Sequence, residues 1–240
     1  MRISDFKAMT FDVYGTLIDW ETGLLNELKP WTASHGLEIG DDAILEAFAQ
    51  IESPVQAESP RMLYRDVLAE THRRLARKWG IAADDGAAEA FGASIARWPA
   101  FPDSAAALGY LKEHFTLAVL SNIDDASIQP SLDKLGRPFR HVFTAQQIGS
   151  YKPDRRNFEY AIAKLGQAGI AKKEILHVAQ SLFHDHVPAQ ALGMTSAWID
   201  RRAGKPGAGA TAPLKNPPRV QFRFASMAAL ADAHRVELGA

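Results

Sequence analysis

The sequence contains no cysteine, which excludes disulfides, thiolate nucleophiles and cysteine-ligated metal centres. It has no run approaching the ~20 apolar residues of a membrane-spanning helix, and its first residues, MRISDFKAMTF, carry charges where a signal peptide needs an apolar run. The sequence also lacks an excess of charge of either sign, since 27 basic and 28 acidic residues give a formal net charge of -1. That balance gives no electrostatic reason to expect nucleic acid or a membrane surface as a partner. We therefore expect a cytoplasmic globular protein.

Apolar, β-branched runs recur along the chain with helical patterns between them. The predicted strands are residues 8–14, 115–122, 175–181 and 195–201, with weaker candidates at 141–146 and 220–226. The predicted helices between the later strands are 103–114, 154–166 and 185–193. This alternation predicts an α/β fold with a Rossmann-like parallel sheet and helices on both of its faces.

Residues 21–98 interrupt the alternation, because they contain amphipathic helical stretches and no convincing strand. An all-helical block inserted after the first strand indicates a cap over the carboxyl ends of the strands, where open α/β sheets place their sites. We therefore expect a core domain of residues 1–18 and 99–240 and a helical cap domain of residues 19–98, with hinges near 18–22 and 97–102. The segment 201–219, rich in Gly, Pro and Ala, predicts a flexible connection.

Polar side chains follow several of the predicted strands. They are Asp12 and Thr16 after the first strand, Ser121 and Asn122 at the end of the second, Lys152 in the string GSYKPD, and Asp185 after the strand at 175–181. Each alone is an ordinary turn or surface residue. Because the carboxyl ends of parallel strands meet at one edge of a sheet, their convergence predicts a functional site there.

The strings FDVYGTL, VLSN, YKPD and HVAQSLFHDHVPAQALG, in this order, resemble the four motifs of the haloacid dehalogenase superfamily. DVYGTL resembles, more narrowly, the L-2-haloacid dehalogenase branch, and the resemblance extends over the whole chain. It implies a hydrolase in which Asp12 displaces halide from a small L-2-haloalkanoic acid and forms an aspartyl ester. Water then hydrolyses the ester to the inverted 2-hydroxy acid.

The resemblance also implies the roles of the other motif residues. Thr16 would hold the carboxylate of Asp12, Lys152 would pair with it and keep it ionised, and Asp185 would orient the hydrolytic water. Ser121, Asn122 and nearby backbone amides would bind the substrate carboxylate. The branch often forms dimers through cap and core helices, so a homodimer is a further expectation.

The residue two positions after Asp12 discriminates between reactions. Phosphatases of the superfamily have a second aspartate there, which protonates a departing alkoxide, whereas this chain has Tyr14. A halide leaves without a proton, so Tyr14 favours dehalogenation without a cofactor. A phosphatase that holds Mg²⁺ through Asp12 and Asp185 is the alternative, although Gln180 stands where a further acid is common. A degenerate family member that only binds a small ligand or a partner is the third hypothesis.

The chain departs from the branch in the cap and in the last motif. No string matches the cap motif WR..QLEY, whose arginine cradles the halide; the nearest segment is EAFAQIES, and Arg61, Tyr64 and Arg65 follow later. In the other motifs, Phe158 replaces a common tyrosine, and Gln180, Leu182 and His184 replace a Ser, an Asn and a Trp. The residues that we predict to line the substrate site are Tyr14, Trp20, Arg61, Tyr64, Ser121, Asn122, Gln180 and His184.

Histidines occur near the last of these motifs. The string HDH at 184–186 does not predict a metal site, because adjacent residues at a helix start do not share a face. His177 is predicted to be structural.

Overall fold

The computed structural model describes residues 1–204, 209–211 and 214–239. These residues form a six-stranded sheet in the order β3-β2-β1-β4-β5-β6, and every neighbouring pair is parallel. The strands are β1 (Ala8–Phe11), β2 (Thr116–Ser121), β3 (His141–Thr144), β4 (Ile175–Ala179), β5 (Thr195–Ile199) and β6 (Phe222–Phe224). The prediction of an α/β fold with a Rossmann-like parallel sheet is confirmed.

Helices precede, separate and follow the strands. The α-helices of the described residues are α1 (Trp20–Ser34), α2 (Asp41–Glu58), α3 (Tyr64–Trp79), α4 (Asp85–Ala93), α5 (Ser104–Leu111), α6 (Gln129–Lys134), α7 (Ala145–Ile148), α8 (Arg155–Gln167), α9 (Val187–Ala191) and α10 (Met227–Leu238). A π-helical turn, Leu182–His186, precedes α9. None of the helices within the described ranges is long and apolar enough to cross a membrane.

The observed strands lie within the predicted runs and are shorter than them. β3 ends at Thr144 because its hydroxyl accepts a hydrogen bond from the amide of Gln147 and starts α7, so residues 145–146 are helical rather than extended. The predicted helix at 185–193 is divided between the π-helical turn and α9.

Strand register explains why the predicted site residues meet. Phe11, the last residue of β1, pairs with Val119 on one side and with Val178 on the other, so β1, β2 and β4 end within two residues of one another. The residues that follow Phe11, Val119 and Val178 therefore lie along the same edge of the sheet.

The helical segment between β1 and α5 contains α1 to α4 and no strand within residues 20–97. The chain leaves and re-enters the sheet region through neighbouring segments, where Ile18 bridges Ala100 and the amide of Asp19 donates to Pro99 O at 2.8 Å. The boundaries of the core and the cap, and the hinges, stay predictions.

The predicted flexible connection at 201–219 includes residues 205–208 and 212–213, which lie outside the described residues. In the described part, Arg202 Nη1 lies 2.6 Å from Glu21 Oε2, and the amide of Ala210 donates to Glu21 Oε1 at 3.0 Å. Glu21 of α1 thus fixes this part of the segment against the cap helices.

Candidate active site

Asp12 lies directly after β1 and is 6% exposed. The Thr16 hydroxyl donates to Asp12 Oδ2 at 2.6 Å and itself accepts a hydrogen bond from the amide of Gln180 at 2.9 Å. Because the Gln180 amide uses a lone pair of the hydroxyl oxygen, the Thr16 proton is directed toward Asp12. One carboxylate oxygen is therefore fixed in orientation.

A tight turn brings Thr16 back to Asp12. Gly15 has φ +90° in this turn, and a Cβ at that position would lie 2.9 Å from Trp20 Nε1. The turn closes through the amide of Gly15, which donates to Ile18 O at 2.8 Å. Glycine is therefore needed at position 15 both for its backbone conformation and for the close approach of Trp20.

Lys152 connects Asp12 to a second carboxylate. Its ammonium group donates to Asp12 Oδ1 at 3.0 Å, to Asp185 Oδ1 at 2.7 Å and to Leu120 O at 3.0 Å. An ammonium has three donors, and all three are used. Burial opposes its charge, but the two carboxylates more than offset this, so the pKa of Lys152 lies above its ordinary value.

His177 forms a hydrogen bond with Asp185. The residue lies within β4, and its Nε2 is 3.0 Å from Asp185 Oδ1 while its Nδ1 is 2.9 Å from the Thr10 hydroxyl. In the tautomer that satisfies both contacts, Nε2 donates to Asp185 and Nδ1 accepts from Thr10. His177, predicted to be structural, is thus also a hydrogen-bond donor to Asp185.

The two carboxylates have different proton affinities. Burial raises the pKa of Asp12, and Lys152 only partly opposes this. Burial also acts on Asp185, but Lys152 and His177 together hold the pKa of Asp185 below its ordinary value. Asp185 therefore stays ionised, and its Oδ2 is buried with no hydrogen-bond partner among the described residues. This oxygen is free to accept a hydrogen bond from a water or another small ligand.

A cavity of about 40 Å³ lies against these groups. Its lining comprises Asp12, Tyr14, Trp20, Glu52, Tyr64, Ser121, Asn122, Lys152, Gln180, Ser181, His184, Asp185 and Thr211. The structure thus brings together all the predicted site residues except Arg61 and Thr16, and Thr16 is bonded to Asp12 as described.

Arg61 is exposed and does not line the cavity. Arg65, the other cap arginine considered, has a side chain that is 61% exposed and pairs with Asp66 at 3.5 Å. The buried face of α3 is formed by Tyr64, Val67 and Leu68, so Arg65 projects to the solvent side of the helix. Neither arginine lines the cavity that contains Asp12.

Tyr14 contributes its ring to the cavity and its hydroxyl to a contact elsewhere. The hydroxyl lies 3.0 Å from Ser131 Oγ, and the ring stacks on Tyr64 with 6.4 Å between centroids. Burial raises the pKa of the Tyr14 hydroxyl well above its ordinary value. Tyr14 is therefore an apolar wall here and is a poor proton donor.

Ser121 and Asn122 behave differently although they are neighbours. The Asn122 side chain accepts from the Lys152 amide at 2.6 Å and donates to Lys152 O at 3.0 Å, so it positions the loop that delivers the ammonium group. Ser121 is 2% exposed, and its hydroxyl has no hydrogen-bond partner among the described residues. Ser121 is thus the member of the pair whose donor is free for a ligand.

Gln180 and His184 close two sides of the cavity. The amide of Gln180 donates to Thr16, as described, and its side chain lies 3.4 Å from the Thr211 hydroxyl. His184 Nδ1 lies 3.1 Å from Ser181 Oγ, and its Nε2 lies 3.5 Å from Ser53 Oγ of α2. Burial lowers the pKa of His184 to about 4, so its ring is neutral near pH 7.

Sequence reasoning missed Glu52, Ser181 and Thr211. Glu52 is 4% exposed and belongs to α2, whose buried face also includes Ile44, Phe48 and Val55. A carboxylate four residues after Phe48, within an apolar helical stripe, was the signal that could have indicated it. Ser181 and Thr211 carried no comparable signal.

The carboxylates at this edge fit a divalent cation poorly. Lys152 Nζ lies within 3.0 Å of both Asp12 and Asp185, where it supplies the positive charge between them. In the part of the chain that the structure describes, no group of three or more His, Asp and Glu side chains could hold a metal ion. The donor set is thin for Mg²⁺, which takes six oxygen ligands.

Comparison with known proteins identifies the family to which the chain belongs. A sequence model of the haloacid dehalogenase-like hydrolases matches residues 6–181, which include Asp12, Ser121, Asn122 and Lys152. The chain belongs to this family of hydrolases. It is 26% identical over 223 residues to the (S)-2-haloacid dehalogenase 4A of Burkholderia cepacia, covering 89% of this chain and 91% of that protein.

Solved structures of this family share the fold at lower identity. The L-2-haloacid dehalogenase from Xanthobacter autotrophicus superimposes with a TM-score of 0.74 at 19% identity, covering 98% of this chain and 100% of that one. A HAD-hydrolase from Bacillus subtilis, crystallised with magnesium, superimposes with a TM-score of 0.75 at 17% identity over 98% of this chain and 100% of that one. The same fold thus occurs in a haloacid dehalogenase and in a magnesium-bound hydrolase.

Proposed function

We propose that this family member is a haloacid dehalogenase that acts on small L-2-haloalkanoic acids. The observation that carries the proposal is the environment of Asp12: a carboxylate held by Thr16 and Lys152, with Tyr14 rather than an acid two residues later. A nucleophile without a neighbouring proton donor suits a leaving group that departs as a stable anion. The similarity to the Burkholderia enzyme supports the same reaction.

In the first step, Asp12 attacks C2 of the substrate. Thr16 holds Oδ2 of Asp12 and Lys152 holds Oδ1, which orients the carboxylate before the substrate arrives. The new bond joins an Asp12 oxygen to C2, and the carbon–halogen bond breaks with its electron pair leaving on the halide. The product is an aspartyl ester with inverted configuration at C2. The free hydroxyl of Ser121 is available to bind the substrate carboxylate.

In the second step, water attacks the carbonyl carbon of the ester. Asp185 is the group proposed to orient this water and to relay one of its protons, because Oδ2 of this ionised carboxylate is buried in the cavity lining and has no partner among the described residues. Lys152, bonded to Asp12 and Asp185, stabilises the negative charge that develops on the ester oxygen. The bond between the carbonyl carbon and the C2 oxygen then breaks, and the proton relayed by Asp185 goes to that departing oxygen, which gives the 2-hydroxy acid. Asp12 is restored as a carboxylate when its second proton from the water is lost to solvent. The C2–oxygen bond of the hydroxy acid is thus the one made by Asp12.

The test is halide release from L-2-chloropropionate in the presence of EDTA. We expect release by the native protein and none by Asp12→Asn. Asp200→Asn is the matched control, since Asp200 is also buried at a strand end but pairs with Arg223 at 2.6 Å outside the cavity.

A single-turnover reaction in isotopically labelled water tests the covalent step. With enzyme in excess, the heavy oxygen should enter Asp12 while the first 2-hydroxy acid carries the original oxygen of Asp12. Label appearing directly in that first product would mean that water, not Asp12, attacks C2, and the mechanism would be wrong.

A magnesium-dependent phosphatase is a second candidate, and one observation favours it. Asp185 Oδ2 is a buried carboxylate oxygen without a partner, which would be a ligand if a cation displaced Lys152 from between the carboxylates. Hydrolysis of a phosphate ester that depends on added Mg²⁺, with no halide release, would favour it over dehalogenation.

A further inference from the structure

The cap presents a carboxyl group to the nucleophile. Glu52 of α2 lines the same cavity of about 40 Å³ as Asp12. Two contacts hold α2 over this edge of the sheet: Asn122 Nδ2 donates to Gln56 Oε1 at 3.3 Å, and Ser53 Oγ lies 3.5 Å from His184 Nε2. In a cavity this small, a ligand that reaches Asp12 also reaches Glu52.

The cavity lacks a free cation for an anionic ligand. Lys152 is the one Lys or Arg side chain among its described lining residues, and its three donors are occupied by Asp12, Asp185 and Leu120 O. With Glu52 ionised, the cavity would hold three carboxylates against one ammonium group. A halide or a carboxylate would then enter against a net negative charge.

The geometry of displacement at C2 determines where the departing halide lies relative to Asp12. Displacement at C2 requires Asp12, C2 and the halogen to be collinear, so the halogen points away from the strand end that carries Asp12. The cavity-lining residues that come from α1 to α3 are Trp20, Glu52 and Tyr64. The Tyr64 hydroxyl is already hydrogen-bonded to Glu52, and Trp20 Nε1 packs against the turn at Gly15.

We propose that Glu52, in its protonated form, is the hydrogen-bond donor that holds the departing halide, in place of an arginine of the cap. The inference rests on the proposed dehalogenation. No proton is transferred: the carbon–halogen electron pair leaves on the halide, and the Glu52 hydroxyl keeps its proton while it donates to that halide. Glu52 thus touches the leaving group and selects substrates whose leaving group is a small anion.

Burial shifts Glu52 toward its protonated form. Burial raises its pKa to about 7, opposed by hydrogen bonds from Tyr64 and Ser53. Its Oε1 also accepts a hydrogen bond from Gln56 on the next turn of α2. The titratable groups that face it across the cavity or from neighbouring elements are Asp12, Tyr14, Tyr64, Tyr151, Lys152, His184 and Asp185.

Most of these groups do not change charge between pH 6 and pH 9. The pKa values of the three tyrosines and of Lys152 are raised by their surroundings, that of His184 is lowered to about 4, and that of Asp185 is also lowered. The pKa of Asp12 is also raised, so Asp12 could contribute to a pH dependence. A variant at position 52 is needed to distinguish the titration of Glu52 from that of Asp12.

Bromide binding between pH 6 and pH 9, followed by broadening of the bromine NMR line, tests the inference without requiring turnover. The native protein should lose bromide affinity about tenfold for each pH unit above about 7, because ionised Glu52 repels the halide. Glu52→Gln keeps a donor of the same shape that cannot ionise, so it should bind bromide without this loss. Glu52→Ala should bind weakly at pH 6.

Glu58→Gln is the matched control, since Glu58 lies on the same helix but faces solvent and pairs with Arg74 at 2.7 Å. It should reproduce the native pH dependence. If Glu52→Gln kept that dependence, if Glu52→Ala bound bromide normally at pH 6, or if the native protein bound no bromide at pH 6, the role of Glu52 would be refuted.

Measuring halide release from L-2-chloropropionate with the same proteins separates this inference from the proposed function. Release by the native protein with a pH profile unchanged in Glu52→Gln would leave the dehalogenase function standing and overturn the role of Glu52. Bromide binding with the expected pH dependence, but no release from any haloacid, would instead overturn the proposed function and retain Glu52 as an anion-binding group.

Discussion

Replacement of Lys152 by methionine should expose how much of the fold depends on one buried ammonium group. The Lys152 side chain is 1% exposed and lies 3.0 Å from Asp12 Oδ1 and 2.7 Å from Asp185 Oδ1. Methionine has a similar volume and no charge, so Lys152→Met leaves two buried carboxylates without their shared cation. Removing one partner of a buried ion pair typically costs about 3–5 kcal/mol of folding free energy.

Protonation limits this penalty and gives it a pH dependence. A carboxyl of ordinary pKa 3.8 can be held protonated at a cost of about 1.4 kcal/mol for each pH unit above that value. Because one proton on the pair replaces the positive charge of the lost ammonium group, the loss of stability should be about 4 kcal/mol at pH 7 and about 2 kcal/mol at pH 5. The sign follows because the variant raises the folded-state pKa of one carboxyl, so its relative stability improves as the pH falls.

Urea unfolding at pH 7 and pH 5, followed by both tryptophan fluorescence and circular dichroism, measures this loss, and coincidence of the two transitions checks two-state behaviour. Lys172→Met is the control, because Lys172 is exposed and donates to the neutral carbonyl of Leu192; its loss should stay within about 0.5 kcal/mol. A loss below about 1 kcal/mol for Lys152→Met, or a loss that does not change between pH 7 and pH 5, would refute the assignment of Lys152 as counter-ion of both carboxylates.

Two substitutions beside the nucleophile give further predictions. Thr16→Val removes the hydroxyl that lies 2.6 Å from Asp12 Oδ2 and leaves the Gln180 amide unpaired, so halide release should fall about 100-fold, whereas Thr16→Ser should stay within about tenfold of native; equal activity of the two variants would contradict this role. Tyr14→Phe should keep halide release within about threefold, because its hydroxyl contacts Ser131 rather than the cavity, and should lower the free energy of unfolding by about 1 kcal/mol. A large loss of kcat in Tyr14→Phe, with the fold intact, would indicate that the hydroxyl takes part in the chemistry.

Several residues of the candidate site could be predicted from the sequence because they lie at or just after the end of a buried strand. Asp12 follows β1, Ser121 ends β2, and the paired ends of β1, β2 and β4 bring these residues together. Strand patterns and short motifs are local properties of the chain. Their positions can therefore be predicted even where the predicted and observed strand ends differ by two or three residues. The predicted α/β fold is correct for the same reason.

The contact of His177 with Asp185 could not be predicted from the sequence. Its position within a buried apolar strand suggests packing, and only the pairing of β1 with β4 reveals that Thr10 lies beside it, with Asp185 on the other side of the ring. A histidine that is buried in a parallel sheet needs partners on both ring nitrogens. Those partners come from residues 167 positions earlier and eight positions later, and no local pattern links them.

The cap residues could not be assigned because their roles depend on how a helix is rotated over the sheet. Arg61, Tyr64 and Arg65 lie within five positions, yet only Tyr64 faces the cavity. On α2 the facing residue is Glu52, which interrupts the stripe formed by Ile44, Phe48 and Val55. A carboxylate in such a stripe loses solvation, and this cost is tolerated where the group has a ligand or a hydrogen-bonded network to serve. The strand ends thus determine where Asp12 lies, while the rotation of α2 and α3 determines which of their side chains line the cavity beside it.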